Sequence, residues 1–273
     1  GLFKEYMPII TLTTDLGLKD HYVASVKGAI LSQIPDVSIV DITHSIEAFN
    51  ISQTAYVIRN CYKNFPAGSI HILGVDSELS LENSHLAVFA GGHYFIGTDN
   101  GTFSLLFDEL KPDKIVELNI SQNTDSLTFP IKDVFVIAAC HIARGGTLEI
   151  IGKEIAAFTD IKSELKPVTE HDINTKNNII KGAVVYIDSY GNATTNISKK
   201  LFEQVRKGRD FVILFGRENE KISKIREKYK DAHEGEKLAI FSANGMLEIA
   251  QNKGRATDLL GLKLQDYIRI EFK

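Results

Sequence analysis

Two carboxylates in the first half of the sequence follow short β-rich runs at the point where each run ends. Asp15 follows residues 9–13, with Asp20 five residues later, and Asp76 follows residues 69–75. At the carboxyl ends of strands in an α/β sheet, such groups can accept hydrogen bonds from paired hydroxyls such as a ribose diol. Structural alternatives stay open, because Asp20 also fits a helix N-cap and Asp76 a turn.

Polar residues also follow two β-rich runs in the second half. The segment Asp188-Ser189-Tyr190-Gly191-Asn192 comes after residues 183–187, and Asn244 comes after residues 238–241. Taken alone, the first segment also fits a β-turn with a left-handed glycine, and the second fits a hairpin.

The best-known catalytic motifs are missing from the sequence. It has no Gly-rich dinucleotide fingerprint, P-loop, HExxH, CxxC or GxSxG motif. The eight histidines show no metal-ligand spacing, so we expect a site without a metal. Cys61 and Cys140 lie in apolar helical patterns and are interpreted as structural thiols.

The elements that must position these side chains fall into two groups. In the first half, β-rich runs alternate with helical apolar spacing, which is typical of parallel βαβ units. In the second half the runs are short and mainly β. We therefore predict an N-terminal α/β sandwich domain (1–165) with a central, mostly parallel sheet, a linker (166–180) and a smaller C-terminal β-barrel-like domain (181–273).

The charge and the composition indicate which classes of partner the protein has and where it is located. A net charge of −4 and a pI near 6.1 argue against nucleic acid as the main partner, although a local basic patch stays open. No apolar run approaches the roughly 18 residues that cross a bilayer, and the first residues do not have the pattern of a signal peptide. We expect no membrane partner and a cytoplasmic location.

Taken in order, several motifs resemble one known family. The chain is similar to the S-adenosylmethionine hydroxide adenosyltransferases, or S-adenosylmethionine hydrolases, which are related to the S-adenosylmethionine-dependent fluorinase and chlorinase. The motifs run over nearly the whole chain: Ile10-Thr11-Leu12-Thr13-Thr14-Asp15-Leu16-Gly17, Tyr22-Val23-Ala24-Ser25-Val26-Lys27-Gly28, Val40-Asp41-Ile42-Thr43-His44, Gly97-Thr98-Asp99-Asn100-Gly101, Ile187-Asp188-Ser189-Tyr190-Gly191-Asn192 and Asn244-Gly245-Met246-Leu247-Glu248-Ile249-Ala250.

The resemblance implies a homotrimer whose ligand, S-adenosylmethionine or adenosine, lies between the N-terminal domain of one subunit and the C-terminal domain of the next. It also implies ligand contacts for six residues: Asp15 with the ribose hydroxyls, Asp20 near the methionine moiety, Asp188 with the methionine ammonium, Tyr190 against the base, Asn192 with the adenine edge and Asn244 with the methionine carboxylate.

The implied reaction is displacement at the ribose C5′ by water, giving adenosine and L-methionine without a cofactor. In the hydrolases an Asp, an Arg and a His surround the water. This sequence keeps the Asp as Asp76, the predicted catalytic residue, but has Asn83 at the Arg position and Pro130 at the His position.

Two hypotheses stay open at this point. The first is a hydrolase with an altered water site, in which Glu78, Glu82 or Lys132 compensates for the missing groups. The second is a catalytically degenerate protein of the same fold that binds S-adenosylmethionine or adenosine.

Overall fold

The computed structural model describes residues 8–77, 83–120, 129–161, 166–216 and 218–273. Glu78 and Glu82 lie outside the described residues. The chain divides into two compact units, Gly1–Lys162 and Ser163–Lys273.

In the part of the first unit that the structure describes, seven strands form one sheet in the order β2-β1-β3-β5-β4-β6-β7. The strands are β1 (Ile10–Thr14), β2 (Ile39–Thr43), β3 (Ile70–Gly74), β4 (His85–Ala90), β5 (His93–Thr98), β6 (Lys114–Leu118) and β7 (Gly152–Glu154). Strands β2, β1, β3 and β5 are parallel neighbours. Strand β4 is antiparallel to both β5 and β6, so β6 runs in the same direction as the parallel group. Strand β7 is antiparallel to β6, so five of the seven strands run in one direction, in agreement with the predicted central sheet, and β4 and β7 run in the other.

Helices cover both faces of this sheet. They are α1 (Tyr22–Gln33), α2 (Ile51–Cys61), α3 (Thr102–Leu106), a π-helical turn (Ile131–Phe135) that continues into α4 (Val136–Ala143), and α5 (Leu148–Ile151). Ile72 packs in the cluster that holds α1 and α4, whereas the next residue, Leu73, packs in the cluster that holds α2 and α3. Because successive strand residues point to opposite faces, the two clusters lie on opposite sides of the sheet. This is the predicted α/β sandwich.

The second unit is built mainly of β structure that forms nearly a barrel. Its strands are β8 (Val168–His171), β9 (Asn178–Ile187), β10 (Ala193–Ser198), β11 (Phe211–Phe215), β12 (Glu220–Ile222), β13 (Ile225–Arg226), β14 (Lys237–Phe241), β15 (Met246–Gln251) and β16 (Tyr267–Phe272), with helices α6 (Lys199–Arg206) and α7 (Ala256–Leu260). The antiparallel neighbours β9, β10 and β15 place the end of β9, the start of β10 and the end of β15 at one edge.

The prediction of a linker over residues 166–180 is wrong in part. Strand β8 lies within this stretch and pairs with the start of β9, so the stretch belongs to the second sheet. All four residues of β8 are exposed, which is why its sequence lacks the apolar alternation of a half-buried strand. The charged stretch 218–230 contains the short strands β12 and β13.

No helix within the described residues is both long enough and apolar enough to cross a membrane.

Candidate functional site

Asp15 and Asp76 meet at the carboxyl edge of the parallel strands β1 and β3. In the register of this pair Thr14 lies opposite Gly74, so both carboxylates come just after the paired residues. The Asp76 N–H donates to Asp15 Oδ2 at 3.4 Å. Gly74 has no side chain at a point where a Cβ would lie 2.6 Å from the Ile131 side chain, so a larger residue there would push Ile131 away from the strand end.

The Asp15 carboxylate is half-buried and its environment works against its charge. Burial raises the pKa of Asp15 above its usual 3.8, and the nearby charge of Asp76 raises the pKa further. Backbone N–H groups of Asp76, of Asp15 itself and of Phe49 act in the opposite direction. A carboxylate held this way gains from hydroxyl donors or a cation supplied by a ligand.

Asp76 adopts a left-handed backbone conformation, with φ of +48°. Non-glycine residues in this region are uncommon, and such conformations cluster at functional sites. A side chain of β4 holds the carbonyl of the next residue, Ser77, because His85 Nε2 donates to this oxygen at 2.8 Å. Burial lowers the pKa of His85, which keeps the ring neutral and leaves it one N–H to donate.

Two exposed apolar side chains lie in the segments around Asp15, and the sequence interpretation missed both. Phe49, whose N–H faces the Asp15 carboxylate, is 74% exposed and has φ of +63°. Leu18, three residues after Asp15, is also 74% exposed. A single large apolar residue in a loop gives no periodic signal, so only the structure relates these side chains to Asp15.

The π-helical turn occupies the position where the resemblance places its His. Pro130 is the N-cap of this turn, and Lys132 Nζ lies 5.6 Å from the centre of the Phe129 ring. The Phe129 ring in turn makes an edge contact with Tyr22 of α1, with 5.8 Å between ring centres. Short π-helical turns are frequent at functional sites. Here the turn supplies the cation of Lys132, which lies beside the Phe129 ring.

Asp20 is exposed in the bend before α1. The alternative that it caps the helix is wrong, because His21 occupies the N-cap position.

In the second unit, the Asp188 carboxylate organises the loop between β9 and β10. Its Oδ1 accepts the N–H groups of Tyr190 and Asn192, both at 2.9 Å. Its Oδ2 accepts from the Asn192 side-chain amide at 3.2 Å. Gly191 has φ of +78°, and a Cβ there would lie 2.8 Å from Arg255, so the position requires glycine. Asp188 therefore has the turn role considered from the sequence, and this role fixes the orientation of Asn192.

A cleft of about 660 Å³ opens beside this loop, inside the second unit. Three of the predicted site residues line it, namely Asp188, Tyr190 and Asn192. The Tyr190 ring is 76% exposed. The sequence interpretation missed the opposite wall, which consists of Tyr229, Gln251, Lys253, Gly254 and Arg255. Most of these residues follow from the antiparallel strand pairing, because it brings the end of β15 to the same edge as the end of β9.

Glu248 is a buried carboxyl group beside this cleft. It is 5% exposed, and Tyr229 Oη donates to its Oε1 at 2.6 Å. Burial raises the pKa of Glu248, the charge of Asp188 raises it further, and the Tyr229 hydrogen bond opposes both. Burial and the neighbouring charge of Asp188 therefore both disfavour the ionised form of Glu248.

Asn244 lies away from the cleft. It belongs to the turn before β15, where its Oδ1 accepts the Met246 N–H at 3.2 Å. The cleft residue Gln251 ends the same strand, about 17 Å along it by strand geometry. The predicted contact of Asn244 with a methionine carboxylate stays a prediction.

Within the described ranges, no group of three or more His, Cys, Asp or Glu side chains is arranged to hold a metal ion.

Comparisons with known proteins agree over nearly the full length. The model of the SAM hydroxide adenosyltransferase N-terminal domain matches residues 10–152, and that of the C-terminal domain matches residues 182–269. An (R)-S-adenosyl-L-methionine hydrolase from Methanocaldococcus jannaschii is 30% identical over 275 residues, which cover 97% of each chain. A fluorinase from Nocardia brasiliensis is 25% identical, with 90% of each chain covered.

A solved structure, described as an uncharacterized conserved protein from Thermotoga maritima, superposes with a TM-score of 0.81 at 30% identity. The match covers 96% of this chain and 99% of the other. The family models cover more than half of this sequence, so the chain belongs to the SAM hydroxide adenosyltransferase family.

Proposed function

We propose that this protein hydrolyses S-adenosylmethionine at the ribose C5′, giving adenosine and L-methionine. Water forms the new C5′–O bond, the electrons of the C5′–S bond pass to sulfur, and one proton passes from the attacking water to the Asp76 carboxylate, which acts as the base. A sulfonium departs as a neutral thioether, so no metal, cofactor or acid for the leaving group is required. What the site must supply is a positioned nucleophile, in line with the C5′–S bond, and a basic group beside it.

The observation that carries this proposal is the pairing of Asp15 and Asp76 at one strand edge. We assign Asp15 to the ribose hydroxyls, because burial leaves its carboxylate in need of donors. Asp76, fixed beside it by the backbone of its own loop, is assigned to orient the water. Both carboxylates also favour the positive sulfonium over the neutral products.

The cleft of the second unit suits the base and the amino-acid moiety. Tyr190 offers an exposed ring for stacking on adenine, and Asn192 has a fixed amide for the adenine edge. Asp188 supplies negative charge for the methionine ammonium. Asp20 is proposed to lie near the methionine moiety. For Asn244 we retain the contact with the methionine carboxylate that the resemblance implies, although this residue lies at the other end of β15 from the cleft.

The assembly proposed is a homotrimer whose site joins the first unit of one subunit to the second unit of the next. The exposed Leu18 and Phe49 near Asp15, and the exposed Tyr190, give apolar surface for such a site. We propose a cytoplasmic protein without a nucleic-acid or membrane partner. Light scattering in solution tests the trimer directly.

Relatives of this chain are named for the (R) epimer of the sulfonium. We therefore propose that the same epimer is the preferred substrate. The test offers the purified (S) and (R) epimers separately to the protein and separates adenosine and methionine by chromatography. Faster release from the (R) epimer supports the proposal, and equal rates contradict the epimer preference alone.

The alternative function is binding without turnover, and a specific observation favours it. Pro130 replaces a group that could polarise water, and a proline side chain offers neither a donor nor an acceptor. A thermal shift with S-adenosylmethionine, without adenosine over many hours, would establish the alternative. Adenosine formation that is abolished by Asp76→Asn would exclude it.

A further inference from the structure

A chain of three side-chain contacts runs beneath the Asp15 loop. Thr14 Oγ1 lies 2.7 Å from His44 Nδ1, and His44 Nε2 lies 2.7 Å from Asp41 Oδ1. The other Asp41 oxygen accepts from Lys27 Nζ at 2.5 Å. The chain joins the last residue of β1 to the residues around the end of β2 and to helix α1.

The order Thr-His-Asp resembles that of a hydrolytic triad, but its geometry excludes a nucleophilic role. Thr14 has no exposed surface, so its hydroxyl cannot touch a substrate. Thr14 Oγ1 also accepts the Leu16 N–H at 3.2 Å. Its own proton is then available for His44 Nδ1, which leaves the Nε2–H of His44 to donate to Asp41.

Backbone hydrogen bonds join the same two segments. Gly17 N–H donates to the His44 carbonyl at 2.7 Å, and Ile46 N–H donates to the Thr14 carbonyl at 3.2 Å. Further along, the Phe49 N–H faces the Asp15 carboxylate. Segment 44–49 therefore holds segment 14–17 at several points, and His44 is the side chain that fixes the first of them.

We infer that His44 is a positioning residue, which sets the Asp15 carboxylate through Thr14. The inference deepens the proposed function, because it rests on Asp15 holding the ribose. Removal of the His44 contact leaves the proton of the buried Thr14 hydroxyl without an acceptor and loosens the backbone that carries Asp15.

The first unit contains a matched control. In the same strand β1, Thr11 Oγ1 lies 2.7 Å from His71 Nδ1, and both residues are fully buried. His71 Nε2 contacts His93 Nδ1 at 3.0 Å, in the cluster against α2, and so is remote from the strand end. A variant that loses this threonine–histidine contact therefore shows the effect of general destabilisation while the Asp15 loop keeps its own contacts.

The experiment compares His44→Gln, His44→Asn and His71→Gln. A glutamine amide reaches the position of the ring Nε2 and loses the hydrogen bond with Thr14. An asparagine amide reaches the position of Nδ1 and keeps that hydrogen bond. We expect His44→Gln to raise the Kd for S-adenosylmethionine about tenfold. His44→Asn and His71→Gln are expected to stay within about threefold of the parent protein.

Two readouts separate positioning from general destabilisation. In the background of Asp15→Asn, the change His44→Gln is expected to add less than about twofold to Kd, because the residue on which it acts is already gone. Crystals without ligand are expected to show a displaced Asp15 side chain in His44→Gln and an unmoved one in His44→Asn.

An unmoved Asp15 in His44→Gln overturns the inference, as does an equal loss of affinity in His71→Gln. If the parent protein does not bind S-adenosylmethionine, the proposed function fails, and the ligand-free crystals still decide whether His44 positions Asp15.

Discussion

The backbone N–H of Asp76 lies 3.4 Å from the Asp15 carboxylate, so the second acidic loop supports the charge of the first. The two side chains nevertheless repel each other when both are ionised, and burial strengthens that repulsion. A cationic ligand relieves both effects. The site is therefore better adapted to a sulfonium than to its neutral products.

Asp76→Asn should separate activity from stability. Asparagine tolerates the left-handed conformation as aspartate does, so we expect the free energy of unfolding to change by less than about 0.5 kcal/mol. Adenosine formation should fall by about 100-fold or more, because an amide is not a base. Urea unfolding and a chromatographic rate measure the two quantities. Activity close to that of the parent protein would remove Asp76 from the reaction.

Asp15→Asn should stabilise the folded protein and weaken its binding of S-adenosylmethionine. Because the pKa of Asp15 is raised in the folded state, its stabilising contribution is present at acid pH and is lost as pH rises through that pKa. The amide removes this loss, so the variant should have a higher free energy of unfolding than the parent protein at pH 7, measured by urea unfolding, and should match the parent below pH 3.8.

The same carboxylate predicts the pH dependence of affinity. Affinity for S-adenosylmethionine should fall as pH drops through the raised pKa of Asp15, since the protonated group no longer attracts the sulfonium. Asp36→Asn, at an exposed carboxylate beyond the other end of α1, is the control and should change neither stability nor affinity. A flat affinity between pH 4 and 7 would contradict the assignment of Asp15.

Glu248→Gln should stabilise the second unit at neutral pH. Burial raises the pKa of Glu248, so the ionised form costs stability once pH exceeds that pKa. The amide keeps an acceptor for Tyr229 and should add about 1 kcal/mol at pH 8, with no gain below pH 4.5. Glu203→Gln, at an exposed site on α6, is the matched control. An equal gain at both pH values would show that the effect is not due to ionisation.

His71 should make the protein sensitive to acid. Burial, together with the charge of His93, lowers the pKa of His71 to about 3. The unfolded chain takes up a proton near pH 6.5 and the folded chain does not, so stability falls as pH decreases between these values. From pH 6.5 to 4.5 the loss should be about 2 kcal/mol for this group, and His71→Gln should reduce it. The exposed His171→Gln should leave the loss unchanged.

The positions of Asp15, Asp76 and Asp188 follow from the sequence because each comes just after a β-rich run. Those runs form β1, β3 and β9, as the periodicity predicts. The exposed strand β8 and the helix α6, of which only Phe202 is buried, have too few apolar residues for such a signal.

Relations between distant segments could not be predicted in the same way. Asn244 and Gln251 lie at opposite ends of β15, so only the strand pairing shows which of them lies at the edge of the cleft. The contact of His44 with Thr14 depends on the neighbouring ends of β1 and β2, and the polar character of either residue alone gives no sign of it.

The central claim is that water attacks C5′ of S-adenosylmethionine in this site. The most direct measurement is a reaction in water enriched in heavy oxygen, followed by mass spectrometry of the nucleoside. We expect adenosine with one heavy oxygen on C5′, an equal amount of L-methionine, and loss of both products in Asp76→Asn. No adenosine despite tight binding of S-adenosylmethionine, or adenosine without heavy oxygen, would contradict it.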